Sequence, residues 1–91
     1  MLEEIILFYT KRNDVEMVAA LERQLARLNE VREGNAMAIA RIAIFNQRIL
    51  ATLPDKKKID RTYLKVFVKK TDKKLQAAIR QSKLFMGEYN V

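Results

Sequence analysis

The sequence predicts an all-α protein: a small helical bundle built on an αα-hairpin, with a long basic C-terminal helix. Three observations predict it. Apolar residues make up 49% of 91 residues, with only two glycines and one proline, a composition that favours helices over loops. Apolar positions recur at alternating steps of three and four, the spacing of one helix face. Candidate caps and breakers, namely Asp14, Gly34, Asn35, Pro54 and Asp60, fall between the periodic stretches. A chain of this length is expected to form one domain over 1–91.

The first helix is expected over 2–12, with Leu2, Ile5, Ile6 and Tyr9 on one stripe. Residues 4–10 are also rich in strand formers. Paired with 62–68, where Leu64, Val66 and Val68 would share a face, they would give an α+β fold instead. Helix is the preferred reading, because a lone short strand needs that partner.

The second helix is expected over 15–32, with Asp14 as its N-cap and Val18, Leu21, Leu25 and Leu28 as its seam. Gly34 suits the left-handed position after a helix, and Asn35 suits the next N-cap. The third helix is then expected over 36–52, with Ile39, Ile42, Asn46, Ile49 and Leu53 on its seam. Pro54 is expected to end it by pushing Leu53 out of the helical region. The register runs unbroken from Val18 to Leu53, so one continuous coiled-coil helix over 14–53 competes with the hairpin. Arg32, Gly34 and Asn35 together make a better turn than a seam, which favours the hairpin.

The last helix is expected over 60–86, capped by Asp60 and closed by Gly87. Leu64, Val68, Thr71, Leu75, Ala78, Ser82 and Phe85 form its seam. The opposite face carries Arg61, Lys65, Lys69, Lys70, Lys73, Lys74, Arg80 and Lys83. Residues 55–83 hold 11 of the 18 basic residues but only three acids, within a chain of net charge +7. Like charges four apart each destabilise an isolated helix by about 0.2–0.5 kcal/mol. Such a ladder is tolerable where an anion neutralises it.

Several functions are excluded by composition. Without cysteine or histidine there is no disulfide, no ordinary zinc site and no usual nucleophile–base pair. Glu30 and Glu33 are spaced like a paired-carboxylate site, but Arg27 and Arg32 are near enough to neutralise them. No enzyme activity, cofactor or metal is therefore expected. The longest apolar run, 5–9, is far too short to span a membrane, and the start is acidic where a signal peptide is basic. The expected location is the cytoplasm, or the inside of a virion or larger assembly.

The expected function is nucleic-acid binding through Arg61, Lys65, Lys69, Lys70, Lys73, Lys74 and Arg80. Contacts would go to phosphates, because no base-reading motif accompanies the stripe. The competing reading is a small assembly subunit whose basic helix meets an acidic protein surface. Either way the apolar surplus suggests self-association as a dimer, through Ile5, Phe8, Ile39, Ile42, Asn46 and Ile49. In that interface Asn46 would fix register, as a buried asparagine does in coiled coils.

Overall fold

A computed structural model describes residues 2–83. Four helices follow one another: α1 (Leu2–Lys11), α2 (Val15–Arg32), α3 (Ala36–Thr52) and α4 (Lys58–Arg80). One turn of 3-10 helix, Leu53–Asp55, joins the last two. There is no strand among the described residues, so the pairing of 4–10 with 62–68 does not form. Nor is 14–53 one helix: the chain turns at Glu33 and Gly34. The last helix ends earlier than the expected 86: it stops at Arg80, with Gln81 as its C-cap and a turn at Gln81 and Ser82, while Leu84 to Gly87 lie outside the described residues.

The first two turns are the same device. Asn13 and Gly34 both take positive φ, 58° and 98°. After each, the backbone closes a 6→1 and a 5→2 hydrogen bond: Asp14 N to Tyr9 O with Asn13 N to Thr10 O, and Asn35 N to Glu30 O with Gly34 N to Val31 O. The next residue caps the next helix. Asp14 accepts from Met17 N, and Asn35 accepts from Met37 N.

The third turn differs from expectation. Leu53 keeps helical angles, φ −56° and ψ −40°, despite preceding proline. Pro54 is the second residue of the 3-10 turn, where its missing N–H is not needed. Lys57, not Asp60, stands at the N-cap of α4, and it makes no side-chain cap bond. Asp60 lies in the first turn, where its charge still suits the helix dipole, and it is buried for another purpose.

α2, α3 and α4 pack on one another, and α1 covers the groove between α2 and α4. The end of α4 lies by the end of α2, where Lys83 meets Glu33, and its start lies by the end of α1, where Tyr9 meets Asp60. So α2 and α4 run the same way, with α3 against them.

The core has two apolar parts. Near the α1 end, Ile5, Tyr9, Leu21, Ile49, Leu53, Leu64, Phe67 and Val68 cluster. Near the hairpin, Leu28, Val31, Ala38, Ile42, Leu75 and Ala78 cluster. Between them lies a polar layer with one residue from each long helix. Gln24 Nε2 donates to Asn46 Oδ1 at 2.9 Å and to Ile42 O at 3.1 Å. Asn46 Nδ2 donates to Thr71 Oγ1 at 3.3 Å, and Thr71 in turn donates to Phe67 O at 2.9 Å. All three side chains are buried.

This packing corrects the expected dimer surface. Ile5, Ile42, Asn46 and Ile49 are all buried inside the single chain, in its clusters or its polar layer. Ile39 packs half-buried at the edge of the second cluster. Phe8 packs against Tyr9 and Tyr63, with ring centroids at 5.0 and 4.5 Å. Asn46 is buried, but its hydrogen bonds go to Gln24, Thr71 and Asp72 of the same chain.

Ala36–Asp55 is long and apolar enough to cross a membrane by length and composition, with mean hydropathy 1.3. One side of α3 packs in the bundle, and Arg41 and Arg48 stand on its exposed surface.

Candidate nucleic-acid interface

α4 presents its cations because its other side is occupied. Leu64, Phe67, Val68, Thr71, Leu75 and Ala78 are buried, which turns Lys65, Lys69, Lys70, Lys73, Lys74 and Arg80 outward. The helix is about 35 Å long at 1.5 Å per residue. None of these six makes an ion pair among the described residues.

The six do not form one flat stripe. Lys69, Lys70 and Lys73 surround Val66 in a shallow depression of about 260 Å3. Lys70 and Lys74 also look toward α2, where they share a groove of about 480 Å3 with Arg32, Leu25, Leu28 and Glu3. Arg32 thus joins the basic face, which its position at the end of another helix concealed. Glu3 is the acid that lines this groove.

Two expected cations are engaged within the chain. Arg61 is half-buried and donates to the Lys56 carbonyl at 2.9 Å, tying α4 to the preceding loop. Lys83 pairs with Glu33 at 2.8 Å, with both side chains open to solvent. That pair holds the Glu33 carboxyl below its ordinary range and the Lys83 ammonium above its own. It also corrects the expected neutralisation of Glu33 by its neighbours: Arg32 donates to Asn29 instead, and Arg27 to Gln24.

The acid nearest the lysines is diverted too. Asp72 is exposed, yet its Oδ1 accepts from Asn46 Nδ2 at 2.7 Å. Among the described residues no lysine lies within ion-pair distance of it. Asp60, the other acid of α4, is buried under Tyr9 and Arg12. Both acids of the helix are thereby committed elsewhere.

A second set of cations was not foreseen. Arg23 and Arg27 of α2 and Arg41 and Arg48 of α3 line one cleft on the outer side of the hairpin. The signal was present as i,i+4 and i,i+7 spacings on two facing helices, but it needs the hairpin's register to be seen.

Among the described residues no group of three or more acids, histidines or cysteines is placed to hold a metal. No protein-family model matches the chain, and no curated protein or solved structure matches it.

Proposed function

We propose that the protein is a non-enzymatic nucleic-acid-binding protein that grips phosphates, without reading sequence, through the exposed face of α4. The observation behind this is charge that the fold leaves unmatched. Lys65, Lys69, Lys70, Lys73 and Lys74 face solvent without ion pairs among the described residues. Both acids of their helix are bonded to residues of other elements. Lysine is a flexible point charge suited to a phosphate backbone, and a ladder of like charges is relieved when phosphates displace its counterions. The test is the salt dependence of duplex binding, with Lys69→Gln and Lys73→Gln as the variants.

A second reading rests on α3. Its outer side carries Ala36, Ala40, Ala43, Gln47, Leu50 and Ala51, all exposed and all uncharged. Met37 and Ile44 flank them, 61% and 50% exposed. A solvated helix face normally alternates charges. This one suits burial against another α-helix, and small residues allow close approach. On this reading the protein is a self-associating assembly subunit, and α4 meets an acidic protein surface. Self-association through α3 is compatible with either role for α4.

A further inference from the structure

The four arginines of the hairpin cleft have no part in the function proposed above. Arg23, Arg27, Arg41 and Arg48 line a space of about 460 Å3 whose floor is Ala20, Ile44 and Phe45. Among the described residues no acid lines it, and no residue of α4 does. None of the four makes an ion pair among the described residues. α4 packs against the inner sides of α2 and α3, so this cleft and the lysine face lie on different sides of the bundle.

We propose that this cleft binds a linear polyphosphate, either the phosphate chain of a nucleotide or an inorganic chain. Three features point to that chemistry. Guanidinium forks grip phosphate oxygens in pairs, which an ammonium does not do, and every cation here is arginine. The site is short: Glu16 and Glu30, both exposed, stand on the same edge of α2 two turns before Arg23 and one turn after Arg27. These acids would repel a long strand laid along the hairpin but leave room for a compact anion between them. The volume also falls in the ordinary range for small ligands, about 300–1,000 Å3.

One arginine is held from below. Arg27 Nη1 donates to the buried Gln24 Oε1 at 3.4 Å, so the polar layer of the core limits where its guanidinium points. The apolar floor gives a nucleotide's base a surface beside Ile44 and Phe45. An inorganic chain would leave that floor bare.

The full chain is titrated by calorimetry with inorganic triphosphate, a nucleoside triphosphate and orthophosphate, at about 150 mM salt, where diffuse attraction is screened. One triphosphate should bind per chain, with orthophosphate at least about tenfold weaker, since it spans too few forks. Arg27→Gln with Arg41→Gln should weaken triphosphate about tenfold or more. Arg23→Gln with Arg48→Gln, at exposed positions away from the core, should do the same. Arg27→Lys with Arg41→Lys keeps the charge and should still lose several-fold. Lys69→Gln with Lys73→Gln should change the affinity less than about twofold, because α4 lies elsewhere. Shifts in the Ile44 methyl and Phe45 ring signals with the nucleotide, but not with inorganic triphosphate, would identify the nucleotide as the ligand; equal affinity without those shifts would identify the phosphate chain alone. No saturable binding would overturn the proposal. So would loss of binding in the α4 variant instead of the arginine variants, or full affinity in the lysine replacements. Nucleic-acid binding through α4 stands or falls separately, on its own salt dependence.

Discussion

Asn46 of α3 holds Asp72 of α4, with Nδ2 donating to the carboxylate at 2.7 Å. The contact ties the polar layer of the core to the charge of the surface. Asn46 is 3% exposed and also bonds Gln24 and Thr71, so its position is set from inside. Asp72 is exposed, one residue from Lys73 and three from Lys69. An internal amide thus decides where the nearest acid to the lysine ladder points.

Removing that amide should cost stability. Asn46→Leu takes from Gln24 Nε2 one of its two acceptors and from Asp72 its donor, while Thr71 keeps its bonds to Phe67 O and Val68 O. The expected loss is about 1–3 kcal/mol, the range for stranding a buried polar partner. Adding Gln24→Leu removes the stranded group, so the double variant should recover part of that loss. It should also relax the register that the layer imposes, seen as faster amide exchange in α2 and α3. Urea unfolding of the two single variants and the double variant measures the coupling. Strictly additive losses would show that the layer does not act as a unit.

Asp60 should shape the acid limb of stability. Burial alone would raise its carboxyl, but the hydrogen bonds from Tyr9 and Arg12, with the charges of Arg12 and Lys56, outweigh burial and hold it below the usual carboxylate range. The same contact acts in reverse on Tyr9, whose phenol is pushed up by burial and by Asp60. A carboxyl depressed in the folded state binds fewer protons there than in the unfolded chain. Its stabilisation is therefore present above the unfolded value and lost as pH falls toward the folded one. Unfolding followed from about pH 7 to about pH 3 should show this loss. Asp60→Asn should be less stable at neutral pH and show a flatter acid limb. An unchanged limb would assign the acid sensitivity to other carboxylates, such as Glu33, which Lys83 also depresses.

The helices were legible in the sequence because their seams are periodic and their ends are marked. Every expected seam residue from Leu64 to Ala78 is buried in α4, and Ser82 is buried in the turn beyond it; Asp14, Gly34 and Asn35 occupy the expected turn positions. Two kinds of feature were not legible. Asp60 looks like a cap from its neighbours, yet its partners Tyr9 and Arg12 are 51 and 48 residues away. Gln24 falls on the inner side of α2 but reads as a surface residue, since only the placement of Asn46 supplies its partner. Local pattern gives the face of a helix, not what meets it. For the same reason four of the expected interface residues, Ile5, Ile42, Asn46 and Ile49, lie inside the chain's own bundle, with Phe8 and Ile39 half-buried at its edge, and the arginine cleft shows only once the hairpin's register is known.

Self-association should respond to α3 rather than to its buried seam. Ala40 and Ala43 are exposed in the middle of the uncharged side. Ala40→Glu or Ala43→Glu should shift a dimer toward monomer in sedimentation at micromolar concentration, with the helical signal intact, because neither position touches the core. An association that survives both changes would move the contact off this face. A monomer throughout the range would remove self-association altogether.

The lysine ladder makes the last prediction. Of the seven cations expected to hold nucleic acid, Arg61 is tied to the Lys56 carbonyl, and Lys65, Lys69, Lys70, Lys73, Lys74 and Arg80 face solvent. Each phosphate they neutralise releases condensed counterions, so log affinity for duplex DNA falls with log salt by about 0.9 per contact. Four to six contacts would give a slope of roughly −4 to −5. Lys69→Gln with Lys73→Gln should flatten it by about 2 and weaken all sequences alike. Stability should hold or rise slightly, because the pair is an i,i+4 like-charge contact worth about 0.2–0.5 kcal/mol of repulsion. Arg23→Gln with Arg48→Gln removes the same net charge from the other side of the bundle, so it should leave the slope nearly unchanged. If both pairs flatten the slope equally, affinity follows net charge and α4 is not the interface. If neither does, or if duplex does not bind at low salt, the exposed face of α4 is left for an acidic protein partner.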